Sequence, residues 1–178
     1  YSVLMDMERL PENFLEFDKS VLIRAQIWPE HYKDNLEVCR TMAKRGFCVA
    51  ICLMETSMFS DSAFTQILGA ATEMGATGVY IVDLDQLDVK KSLVRLKEAN
   101  QMLPHEMALG YHGSDCIGEA LETAKEVVGL GMDRTVLIDS SVCGLSKRAG
   151  KLRSEIFSDY LNETYGAGYN QNGFFSVY

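Results

Sequence analysis

The chain has 178 residues, 47% hydrophobic and 24% charged, with 14 Gly and 3 Pro, the proportions of a folded globular domain rather than a disordered or fibrous one. The 25 acidic residues against 17 basic ones leave a formal charge of −8, which repels a phosphate backbone and argues against nucleic-acid and anionic-membrane partners. No apolar run approaches the ~20 residues that cross a bilayer, and residues 1–6 lack the basic start and apolar stretch of a secretory signal, so a cytoplasmic protein is expected.

From the N-terminus, residues 2–7 read as a first strand, followed by a short helical connection carrying Leu10, Phe14, Leu15 and Phe17. Five more apolar, β-branched runs follow at 21–27, 47–53, 78–82, 107–111 and 134–138, their starts 26 to 31 residues apart. The segments between them carry helical stripes. The first is Tyr32, Leu36, Cys39, Met42 and Ala43. The second starts at Ser60 as N-cap and runs through Ala63, Phe64, Ile67, Leu68, Ala71 and Met74. Val89, Leu93, Leu96 and Met102 make the third. Ile117, Ala120, Leu121, Ala124, Val127 and Val128 make the fourth, and Leu152, Ile156, Tyr160 and Leu161 the last. Trp28-Pro29 ends a strand and opens a helix, and Gly129-Leu130-Gly131 marks a helix end.

Near-continuous apolar strands alternating with amphipathic helices predict an α/β fold with a parallel sheet, because a parallel connection needs a crossover of a dozen or more residues. An open doubly wound sheet and a (β/α)8 TIM barrel share this rhythm. Ionisable residues stand at the strand exits: Glu30 and His31, Glu55, Asp83 and Asp85, His112 and Asp115, and Asp139. Caps and loop formers explain them one by one, whereas their recurrence at one end fits a barrel rim. Six βα units are present and a closed barrel takes ~250 residues, so about two units are expected to be missing from this chain. The expected organisation is a barrel domain over residues 1–165 and a tail over 166–178, a surface flap or docking segment. The five cysteines, Cys39, Cys48, Cys52, Cys116 and Cys143, make no CxxC pair, which predicts reduced, buried thiols. No GxSxG, Walker or GxGxxG pattern is present.

Three stretches carry a family likeness: Cys52-Leu53-Met54-Glu55 through Gly78-Val79-Tyr80-Ile81-Val82-Asp83, then Gly110-Tyr111-His112-Gly113-Ser114-Asp115, then Asp139 through Gly144-Leu145 to Gly150-Lys151. Over roughly residues 20–160 their order resembles strands five to eight of the metal-dependent aldolase and lyase barrels, the hydroxymethylglutaryl-CoA lyase-like family. The 4-hydroxy-2-oxovalerate aldolases are the closest in feel. The resemblance implies a TIM barrel of which the third to eighth units are present. It also implies a 2-oxo acid substrate handled by pyruvate-forming aldol or Claisen-type chemistry, and Mn²⁺ or Mg²⁺ as cofactor with His112 as a ligand. Homodimerisation or association with a dehydrogenase are further family features.

Where the family pattern has a second His, this chain has Ser114; where it has an Asn, Lys151; and Asp83 is followed by Leu84 instead of Thr. A hard cation wants about six oxygen or imidazole donors. A lysine beside it would repel by ~4 kcal/mol per unit charge at ~4 Å and an effective dielectric near 20. The metal site is therefore expected to be incomplete. His112 is the expected acid–base group, and Asp83 a second catalytic candidate. Lys151 is expected to act as a Schiff-base amine or as the charge that balances an enolate. Lys147, Arg148, Ser114 and Gly144 are expected to bind a small carboxylate or a phosphate at a rim loop. A degenerate barrel acting as a binding or assembly subunit, and a sugar-phosphate-binding barrel, are the alternatives.

Overall fold

The computed structural model describes residues 2–84, 88–146 and 150–175. Its six strands, β1 (Ser2–Asp6), β2 (Leu22–Ile27), β3 (Cys48–Leu53), β4 (Gly78–Asp83), β5 (Ala108–Gly113) and β6 (Val136–Ile138), form one parallel sheet in sequential order. The helices are α1 (Tyr32–Lys44), α2 (Asp61–Glu73), α3 (Val89–Met102), α4 (Ala120–Gly129), α5 (Ser154–Tyr165) and the short α6 (Asn172–Phe175). A doubly wound sheet reverses its strand order at a switch point; this one does not.

Strand alternation sorts the residues into two faces. The odd-numbered Ile23, Ile27, Val49, Ile51, Leu53, Val79, Ile81 and Leu109 are buried with Leu36, Met42, Phe64, Ile67 and Leu96 of the helices in the main core. The even-numbered Ala50, Cys52, Tyr80 and Val82, with Met54, form a separate cluster that Leu22, Trp28 and Leu84 join. The helices therefore cover one face, and the second cluster lines the other.

One contact measures the curl of the sheet. Arg24 of β2 reaches Asp139, the residue after β6, with Nη2–Oδ2 2.5 Å and Nη1–Oδ1 3.2 Å. Four interstrand steps of about 4.8 Å would put β2 and β6 roughly 19 Å apart in a flat sheet, farther than the two side chains span. The sheet is curled into a six-unit sector of a (β/α)8 barrel, with the second cluster inside it.

Several expected helix faces are turned. In α3 the buried positions are Ser92, Arg95, Leu96 and Ala99, while Met102 is exposed. Arg95 can lie there because its guanidinium stacks 4.4 Å from the Phe64 ring and donates to Asp61, Glu98 and the Phe59 carbonyl. In α5, Glu155, Phe157 and Ser158 are buried and Ile156 faces outward; Glu155 accepts from the Cys143 amide and from Arg153. Ile117 lies exposed before α4 rather than on its stripe. The cysteines divide as well: Cys39 and Cys52 are buried, but Cys48, Cys116 and Cys143 are exposed, because they sit at a strand start and in rim loops.

Residues after Gly166, the left-handed C-cap of α5, fold back on that helix. Asn162 exchanges two hydrogen bonds with the backbone of Tyr169, and Gln171 pairs with Ser158. No helix among the described residues is long and apolar enough to cross a membrane.

Candidate functional site

At the C-terminal ends of the strands, on the inner face, lies a cavity of about 530 Å³. Leu4, Trp28, Met54, Val82, Leu84 and Leu145 make its apolar walls; Arg24, Gln26, Cys52, His112, Ser114, Ser146 and Lys151 supply its polar groups. Strands β1 to β5 contribute by alternation. Arg24 and Gln26 are the inward positions of β2, Cys52 and Met54 continue β3, and His112 and Ser114 continue β5. Lys151 is brought across from the loop after β6 by a backbone bridge to Ser114. Its amide also donates to the Gly144 carbonyl at 3.1 Å. Gly144 has φ 68°, and a Cβ there would meet the Lys151 carbonyl oxygen at 2.9 Å, so a residue with a side chain would displace Lys151.

The chemistry of the site centres on Asp139. Its amide is fixed by the Tyr111 carbonyl at 3.0 Å, and its Oδ2 meets both Arg24 Nη2 and, at 2.6 Å, His112 Nδ1. Burial alone would push this carboxyl up, but hydrogen bonds from His112 and Arg24, with the charge of the guanidinium, hold it below its ordinary value. An ionised carboxylate only accepts, so Nδ1 of His112 carries the proton and Nε2 is the ring nitrogen left to act as a base toward the cavity. Burial opposes the charge of Arg24; Asp139 more than compensates, so the guanidinium stays protonated. Its Cζ lies 3.9 Å from the centre of the Tyr80 ring. Cys52, deeper in the same wall, is pushed up to about 11 by burial, which keeps it a thiol.

The structure thus brings His112, Ser114 and Lys151 to one cavity, with Gly144 behind the lysine. Asp83 is placed elsewhere: it faces the helices, where Ser92 of α3 donates to its Oδ2 at 3.2 Å. Asp115 accepts from the Ala120 amide and so caps α4. Lys147 and Arg148 lie outside the described residues. Sequence reading gave Asp139 as a strand-exit acid and a weaker candidate beside His112, and missed Arg24, Gln26 and Tyr80 as site residues. The available signal was the alternation in Leu22-Ile23-Arg24-Ala25-Gln26-Ile27, where two polar side chains share one face of an otherwise apolar strand.

The donors present do not fit a divalent cation. His112 offers one imidazole donor, Nε2, and the oxygens of Asp139 are taken by Arg24 and His112. Ser114 and Lys151 hold the other two positions expected to bind metal. Among the described residues, no three His, Cys, Asp or Glu side chains are grouped closely enough to hold an ion.

No family model matches the chain, and no curated protein matches it. Solved structures do. The HMG-CoA lyase of Brucella melitensis superposes with a TM-score of 0.67 at 17% identity, over 87% of this chain and 63% of that one. The Bacillus subtilis HMG-CoA lyase gives 0.70 at 16% identity, over 92% and 62%. The carboxyl transferase domain of Rhizobium etli pyruvate carboxylase gives 0.75 at 16% identity, over 99% and 33%. This chain therefore has the fold of those lyase-type TIM barrels and spans less than two thirds of each of these neighbours.

Proposed function

We propose that this chain binds a small 2-oxo acid in the inner cavity and carries out aldol-type cleavage or condensation at its third carbon. The observation that carries the reading is the meeting of an Asp139-bound His112 and Lys151 in one cavity at the C-terminal ends of the strands. Support comes from the fold, shared with HMG-CoA lyases and with a carboxyl transferase domain whose structure was solved with pyruvate. In the cleavage direction, Nε2 of His112 takes the proton of the 4-hydroxyl, and the bond between carbons 3 and 4 breaks with release of an aldehyde. The electron pair passes through carbon 3 to the 2-oxo oxygen as an enolate, which the Lys151 ammonium stabilises by charge. The imidazolium then returns its proton to carbon 3, completing pyruvate. Ser114 and Gln26 offer hydrogen bonds to the substrate carboxylate.

Incubation with a series of 4-hydroxy-2-oxo acids and enzymatic detection of pyruvate tests the reading. Wild-type protein is expected to release pyruvate; His112→Ala and Lys151→Ala are expected to lose about 10²-fold or more. Binding of pyruvate without turnover would replace this reading with that of a barrel kept as a binding subunit, which the incomplete metal donor set favours. Neither binding nor release would overturn both.

A further inference from the structure

The acid–base reading of His112 depends on a fixed carboxylate, yet Asp139 follows a three-residue strand at the edge of the sheet. An aspartate there has two free torsions. What holds it is a side chain from four strands away. Arg24 grips both carboxylate oxygens in a forked pair, the geometry a planar guanidinium matches and an ammonium does not.

Arg24 is itself a long side chain, and the inner face is shaped to seat it. Its neighbour in register on β3 is the small Ala50, which leaves room for the guanidinium to reach the ring of Tyr80 on β4. That ring lies over the next strand, where its register partner is Gly110. A Cβ at position 110 would fall 2.0 Å from Tyr80 Cδ1 and 2.3 Å from Cε1, so any side chain there would drive the ring out of its place. The ring face then stacks on the guanidinium. Gly110, Tyr80, Arg24, Asp139 and His112 form a continuous series of contacts across the inside of the sector, ending at the cavity.

We propose that Arg24, seated by Tyr80 in the space left by Gly110, is a positioning residue for His112: it locks the Asp139 carboxylate so that the imidazole keeps its proton on Nδ1 and presents Nε2 to the cavity. The proposal rests on the reading of His112 as the acid–base group, but it concerns which ring nitrogen holds the proton, a property of the free protein. Neighbours of this kind set the tautomer of functional imidazoles.

The test is the ¹⁵N–¹H correlation spectrum of the histidine rings in the full chain at pH 8, without substrate. Only His31, His105 and His112 contribute, so one substitution of His112 assigns its signals. His105, whose Nδ1 meets the Asp133 carbonyl at 3.0 Å, reports that the fold is intact. Wild-type protein and Tyr80→Phe, which keeps the ring, are expected to show the Nδ1–H form of His112. Arg24→Gln and Tyr80→Leu are expected to raise the Nε2–H form about tenfold, the loss of one charge-assisted hydrogen bond. Arg24→Lys keeps the charge without the fork and is expected to fall on the same side. Should Arg24→Gln fail to fold, Arg24→Lys and Tyr80→Leu are read the same way. An unchanged Nδ1–H signature in the folded variants, with the His105 signals in place, would overturn the proposal and leave a merely structural ion pair. A confirmed tautomer shift in a protein without action on 2-oxo acids would instead remove the functional reading and leave the positioning role standing.

Discussion

Two cysteines lie in apolar surroundings, and burial decides their chemistry. Cys52 sits beside the Arg24 guanidinium, yet burial outweighs that favourable charge and the thiol is pushed up to about 11. Cys39, between α1 and the sheet, is pushed up to about 12 by burial, with Cys52 adding to the effect. At pH 8 neither holds an appreciable thiolate fraction. Treatment of the native protein with iodoacetamide, read by mass spectrometry, is therefore expected to modify Cys48, Cys116 and Cys143 and to reach Cys39 and Cys52 only after denaturant is added. Native labelling of Cys52 would mean that the inner wall is not packed as described. The two buried thiols were legible from the apolar runs around them. The three exposed ones were not, because exposure at Cys116 and Cys143 is set by how the rim loops fold over the strand ends.

At the scale of single elements, two caps show what local sequence does and does not reveal. Ser60 accepts from the Ala63 amide at 3.2 Å at the start of α2, a local motif readable from three residues of sequence. The end of α3 is held from a distance: Arg134, just before β6, donates to the carbonyls of Asn100, Leu103, Pro104 and Met107 and to the Asn100 side chain. Nothing in the residues around Met102 announces that partner, which arrives through the tertiary fold. Urea denaturation is expected to show Ser60→Ala lowering stability by about 1 kcal/mol. Arg134→Ala is expected to cost more, about 1–3 kcal/mol, since several carbonyls lose a charged donor at once. Equal small effects would mean that solvent replaces the guanidinium freely. The turned faces of α3 and α5 have the same origin. Arg95 and Glu155 are each buried with partners supplied by another segment.

For the molecule as a whole, strand number, the five longer helices and parallel pairing followed from hydrophobic periodicity, because each depends on patterns within about 30 residues; the short α6 in the tail did not. The curl of the sheet depends on longer-range contacts. Arg24 and Asp139 are 115 residues apart in sequence, and their meeting is one that a flat ladder of strands would not allow. The same meeting assembles the site, which is why His112, Ser114 and Lys151 were legible as neighbours of a rim while Arg24 and Tyr80 were not. The curl brings His112 and Lys151 to one cavity, and the proposed function stands on that coincidence. Its most direct test is exchange of the methyl protons of pyruvate for deuterium in D₂O, followed by ¹H NMR with wild-type protein, His112→Ala and Asp139→Asn. Loss of the methyl signal well above the buffer rate with wild-type protein, slowed about 10²-fold or more in both variants, is the predicted result; exchange at the buffer rate with wild-type protein, or at the wild-type rate with His112→Ala, would contradict it.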